Sequence, residues 1–133
     1  MIAYMLDTDI CSYLMRDTSP ALLHKLQIVP SSAVCMSAIT LSELSFGVAN
    51  SRRRAEIQLA LDFLLQHVQV LDYPAAAAVE YGEIRAALKA KGALIGPNDM
   101  LIAAHARCLG LTLVTNNMRE FKRVPGLKVE NWA

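Results

Sequence analysis

Tyr4-Met5-Leu6-Asp7-Thr8-Asp9-Ile10 is the stretch whose reading decides the fold. An apolar run that opens at Met1 stops at an acid, and Thr8-Asp9 then introduces a second apolar pattern. A short, unbroken apolar run of this kind suits a parallel strand buried on both faces. An acid at its C-terminal end stands where open α/β sheets gather their functional groups. The rest of the chain is therefore read for further strands of this type and for polar groups placed at their ends.

Residues 2–6 are the expected first strand, followed by a helix over 10–16 with Ile10, Tyr13 and Leu14 on one face and Thr8 or Asp9 as its N-cap. Pro20 starts a second helix through Leu22, Leu23 and Leu26. Ala33 to Met36 is the second strand, and Thr40-Leu41-Ser42-Glu43 leads a helix carrying Leu41, Leu44 and Val48. Arg52-Arg53-Arg54 precedes an amphipathic helix with Ile57, Leu61, Leu64 and Leu65 inward. Val68 to Leu71 is a third strand, and Pro74 opens an alanine-rich helix that closes at Lys91-Gly92. The loop Ile95-Gly96-Pro97-Asn98-Asp99 feeds a helix from Met100 to Leu109, stopped by Gly110. Leu111 to Thr115 is a fourth strand, Met118–Lys122 one helical turn, and Leu127–Glu130 a last extended piece. Strands alternate with helices, with no linker or repeat between them. The expectation is a single α/β domain over 1–133, a three-layer α/β/α sandwich around a mainly parallel sheet of four to five strands.

Composition narrows the function classes. With 54% hydrophobic and 19% charged residues the chain is globular rather than disordered. An aromatic share of 6% argues against a stacking platform for single-stranded nucleic acid. A formal net charge of +1 leaves no whole-chain footprint for RNA or DNA, so any such contact rests on a local patch. Cys11, Cys35 and Cys108 are odd in number, lack metal-ligand spacing and sit among apolar residues, as core hydrophobes in a reducing compartment do. No basic segment precedes the first apolar run, and no apolar stretch reaches the ~18 residues of a membrane span. A soluble cytoplasmic protein is expected.

Four positions recur at the ends of elements. Asp7 ends the first strand, Glu43 sits early in the helix after the second, Asp99 opens a helix three residues beyond Gly96, and Asn117 lies just past the fourth strand. In a parallel sheet all four can meet at one edge. Carboxylates brought together repel unless a cation sits among them or some are protonated. Oxygen ligands without histidine or cysteine select Mg²⁺ or Mn²⁺ over Zn²⁺, and such an ion can orient water and offset charge on a phosphate.

Each position also has a structural reading. Asp7 and Asp9 can cap the first helix, Thr40-x-x-Glu43 is also a capping box, Asp99 suits a helix dipole, and Asn117 suits a turn. His24, His67 and His105 are scattered on helices with no partner at metal or triad spacing, and read as structural. Arg52–Arg54 reads as a solvated helix start, with a phosphate or partner contact as the alternative. Arg85 and Lys89, at i and i+4 on one helix face, are candidate phosphate contacts.

With these residues in place the sequence resembles PIN-domain ribonucleases of the VapC type, the toxin half of bacterial type II toxin–antitoxin pairs. The resemblance rests on Met5-Leu6-Asp7-Thr8-Asp9, Thr40-Leu41-Ser42-Glu43-Leu44, Gly96-Pro97-Asn98-Asp99-Met100-Leu101-Ile102-Ala103, and Leu113-Val114-Thr115-Asn116-Asn117 followed by Arg119-Glu120-Phe121. Val124-Pro125-Gly126-Leu127 and Glu130-Asn131-Trp132 extend it to the end of the chain. It implies a PIN fold, dependence on Mg²⁺ or Mn²⁺, and endonucleolytic cleavage of RNA. By that analogy Asp7, Glu43 and Asp99 hold the metal and Asn117 joins them in catalysis. Thr8 and Thr115 within these motifs, with Arg85 and Lys89, become candidate substrate contacts. It further implies a homodimer, a higher hetero-oligomer with a cognate antitoxin whose C-terminal segment lies across the active-site groove, and initiator tRNA, cut in its anticodon stem–loop, as substrate.

Two departures stand out. Many PIN proteins carry a fourth acid where this chain has Asn117 or, as the alternative alignment, Asn116, and an amide brings no charge to a second metal. The residue two after Asp7 is commonly Asn and here is Asp9. Two other classes compete with a nuclease. One is a phosphatase or phosphotransferase with Asp7 as nucleophile and Asp9 as acid/base. The other is a non-catalytic protein-binding module.

Overall fold

Tyr4–Leu6 forms β1, the central strand of a five-stranded parallel sheet. A computed structural model describes residues 1–133. β1 is flanked by β2 (Val34–Ser37) on one side and β4 (Thr112–Val114) on the other, with β3 (Gln69–Leu71) and β5 (Lys128–Glu130) at the edges in the order β3-β2-β1-β4-β5. Leu6 is in register with both Met36 and Val114. The chain thus builds from β1 first to one side and then to the other. That reversal opens a crevice at the carboxyl end of β1, where such sheets bind ligands.

Alternation along three residues feeds two cores. Met5 packs into a cluster with Ile84, Leu88, Ile102 and Leu113, while Leu6 packs into another with Ile10, Leu22, Met36 and Leu61. Both side chains are fully buried, each worth roughly 1.5–3 kcal/mol. The first cluster is covered by α5 (Ala75–Ala90) and α6 (Pro97–Leu109). The second is covered by α1 (Thr8–Arg16), α2 (Pro20–Ile28), α3 (Ala38–Ala49) and α4 (Arg54–His67). A short α7 (Met118–Phe121) follows β4. The three-layer sandwich is the one expected, with five strands.

Local boundaries differ instructively. α1 begins at Thr8, and its N-cap is Asp7, neither Thr8 nor Asp9. Asp7 Oδ1 accepts the Ile10 N–H at 2.9 Å, so strand passes to helix without a loop. α3 likewise starts directly after β2, capped by Ser37, whose Oγ accepts from Ile39 N–H at 3.1 Å. Thr40 is therefore inside the helix and the Thr40-x-x-Glu43 capping box does not form. Of the cysteines, Cys11 and Cys35 are buried and Cys108 is half-exposed, and all three are free thiols. Arg53 pairs with Glu56 on the exposed start of α4, in keeping with a solvated helix end. No helix is long and apolar enough to cross a membrane.

Candidate active site

The acids arrive on separate elements. Asp7 is delivered by β1 and is 3% exposed. Its backbone N–H continues the sheet by donating to the Val114 carbonyl at 3.0 Å. Burial pushes its carboxyl up to about 7, against the pull of the Thr115 hydroxyl and the Ile10 N–H, and Asp9 and Asp99 add repulsion. Asp99, half-buried in the first turn of α6, is pushed up to about 6 by desolvation, then by Glu43, Glu120 and Asp9. An acid at a helix N-terminus is normally held down by the dipole. Its upward shift shows that burial and neighbouring negative charge win here.

Glu43, half-buried on α3, accepts the Thr8 hydroxyl at 2.6 Å. With its proton given to Glu43, Thr8 Oγ1 lies 3.3 Å from the hydroxyl of fully buried Thr40 and accepts from it. This pair fastens the head of α1 to α3 and fixes Glu43 beside the strand that carries Asp7. Freed from the cap, the glutamate faces the other acids.

Asn117 lies at the N-terminus of α7, but its side chain makes no capping bond there. Its backbone N–H donates to Thr115 Oγ1 at 2.8 Å, and Thr115 N–H donates to the Glu130 carbonyl at 2.9 Å. Thr115, fully buried beside Asp7, thus ties the fourth strand end to the centre. The negative charge missing at Asn117 comes from Glu120, one turn further along α7, which bears on Asp99. In the sequence Glu120 stands within Arg119-Glu120-Phe121 with no role of its own. Its i+3 spacing from Asn117 on one helical turn was the available signal. Exposed Asp9 adds charge to both Asp7 and Asp99.

Arg85 and Lys89 lie one turn apart on α5. Both are exposed on α5, where Arg85 donates to the Tyr81 hydroxyl at 2.9 Å. His105 is fully buried, while His24 and His67 lie at the surface.

No three His, Cys, Asp or Glu side chains already stand as a closed ligand cluster. The donor set still fits a small hard cation, which takes one or two carboxylates and keeps several waters. Carboxyls held at about 7 and about 6 in the absence of a counter-charge are what such a cation would relieve.

The fold and the acidic edge define a PIN domain, and residues 4–127 match the PIN domain family. The ribonuclease VapC2 of Rickettsia felis is 42% identical over 97% of both chains. The tRNA(fMet)-specific endonuclease VapC of Shigella flexneri is 41% identical over the full length of both. Among solved structures, the DNA-bound VapBC of Salmonella typhimurium has a TM-score of 0.95 at 38% identity over both full chains. The promoter-bound VapBC2 of Rickettsia felis has a TM-score of 0.93 at 41% identity, again over both full chains. The chain belongs to the VapC ribonucleases of the PIN-domain family, whose nucleases generally depend on a divalent metal.

Proposed function

We propose that this chain, acting as one PIN domain, is an endoribonuclease toxin that cuts initiator tRNA in its anticodon stem–loop with Mg²⁺ or Mn²⁺ as its ion. The observation that carries the reading is the convergence of Asp7, Asp99, Glu43 and Glu120 from four elements on the switch point of the sheet. The relatives named tRNA(fMet)-specific endonucleases supply the substrate.

Bound at this centre, the ion would activate water and offset charge developing on the scissile phosphate. Asp7, buried, and Asp99, half-buried, would be the direct ligands. Glu43, oriented by Thr8, would complete the ligand set, directly or through a water that it also positions for attack. Thr115 steadies Asp7, and Asn117 would ligate the ion or orient it through water with its uncharged amide. In-line attack at phosphorus leaves 5′-phosphate and 3′-hydroxyl ends.

Asp7 is unsuited to the rival role of nucleophile. One of its oxygens caps α1, its carboxyl stands at about 7, and exposed Asp9 is not fixed beside it.

The antitoxin is assigned to the groove between α1, α2 and α4, about 390 Å³ and lined by Leu14, Met15, Leu23, Leu26, Phe63 and Val68. Met15 and Ala60 continue it into a cleft of about 280 Å³ that holds Thr8, Asp9 and Glu43. A segment with an apolar face would fill the first part, and a cationic residue on it would quench the acids in the second. A homodimer would cover exposed apolar side chains such as Phe46 on α3 and Val79 on α5, 68% and 66% exposed. Three free thiols fit action in the reducing cytoplasm.

The test is cleavage of initiator and elongator tRNAs by the purified toxin in Mg²⁺, with and without chelator, and sequencing of the ends. Selective cutting in the initiator anticodon stem–loop is expected. Equal cutting of elongator tRNAs would remove the substrate assignment, and intact RNA in Mg²⁺ would remove the activity.

A further inference from the structure

Ser37 and His105 are 68 residues apart and both fully buried, and Ser37 Oγ lies 2.8 Å from His105 Nδ1. Ser37 is the residue that turns β2 into α3, and Glu43 follows it by six positions. His105 follows Asp99 by six positions on α6. At a rise of 1.5 Å per residue, this bond sits about 9 Å along each helix from the carboxylate that helix carries. It is a polar link between α3 and α6 in a layer that is otherwise apolar: Ile102, Ala103, Ala104 and Ala106 around the histidine are all buried.

His105 is an odd choice for filling space. Its Nε2 is buried with no hydrogen-bond partner, a liability that an aliphatic side chain would not have. The ring packs edge to face with Tyr73, the centroids 5.2 Å apart. Burial depresses its basicity. With Ser37 Oγ already accepting from Ile39 N–H, the two residues fix one another through a single directed bond.

From this geometry we infer that His105 is a positioning residue for the acidic centre, setting the separation of Glu43 on α3 and Asp99 on α6 through its bond to Ser37. The inference rests on the reading of those acids as cation ligands. Groups that orient ligands without touching the ion typically change metal affinity by about 10-fold to 100-fold when removed.

The experiment is calorimetric titration of Mn²⁺ into the antitoxin-free toxin, alongside thermal unfolding, for wild type, His105→Asn, His105→Leu and Ser37→Gly. Asparagine places an amide near Nδ1, and leucine has similar bulk without the polar atom. Glycine removes the hydroxyl while remaining an acceptable N-cap. His105→Leu and Ser37→Gly should each weaken Mn²⁺ about 10-fold or more, the double variant no further, and His105→Asn should stay within about 3-fold of wild type. Wild-type affinity in Ser37→Gly, the variant least able to disturb folding, overturns the inference. So does equal weakening by leucine and asparagine, which would reduce the role to packing. Absence of Mn²⁺ binding to wild type overturns the reading of the acids, and this inference with it.

Discussion

The Thr8 hydroxyl reaches Glu43 at 2.6 Å across 35 residues of sequence, joining the first turn of α1 to the second turn of α3. The bond explains why Glu43 is presented to Asp7 and Asp99 although the cap its sequence suggests is not formed. A hydrogen bond to a charged group is worth about 1.5–3 kcal/mol, enough to hold one rotamer. Thr8→Val should therefore lower kcat by about 10-fold with the fold retained, and Thr8→Ser should restore most of it. Single-turnover cleavage of tRNA by the two variants, with circular dichroism as the folding control, checks this.

Asp7 sets a stability trade-off. Its folded carboxyl stands at about 7 against an ordinary value of 3.8, so the folded state holds the proton more tightly than the unfolded one. Its contribution to stability is greatest below about pH 4 and is lost as pH rises from there through about 7. Asp7→Asn keeps an effective N-cap for the Ile10 N–H and has no charge to bury. In metal-free buffer at pH 8 it should be more stable than wild type by on the order of 2–4 kcal/mol, the gap closing towards pH 4. Denaturant melts at the two pH values measure it.

Glu120 supplies negative charge that Asn117 does not. Glu120→Gln removes one of the charges that raise Asp99, so the Asp99 carboxyl should titrate below about 6, readable by NMR in the metal-free protein. The same variant should bind Mn²⁺ several-fold more weakly. An unchanged Asp99 titration would place Glu120 outside the centre.

The fold was legible because the strands are buried on both faces. Tyr4–Leu6, Val34–Ser37 and Thr112–Val114 sit at the centre of the sheet and read as continuous apolar runs. Positions of the acids followed from the strand ends. What a linear reading missed were decisions made by tertiary contact. Thr40-x-x-Glu43 satisfies a local rule, yet Ser37 at the strand end captures the helix start, and Glu43 is claimed by Thr8 from α1. Asp7 both caps and belongs to the acidic centre, where sequence offered these as alternatives. Glu120 acquires meaning only because α7 packs its one turn back over the sheet edge. Arg85 and Lys89 share a helix face as expected, but a shared face does not say what it looks upon.

The most direct measurement is cleavage of initiator tRNA by wild-type toxin and Asp7→Asn across a Mg²⁺ titration, with chelator as the zero point. Wild type should cut in proportion to cation occupancy and stop with chelator. Asp7→Asn, well folded and more stable, should fall by at least about 10³-fold, as loss of a charged ligand at an ion that activates water requires. Cutting by Asp7→Asn at the wild-type rate, or cutting by wild type undiminished in chelator, would contradict the assignment of this acidic centre.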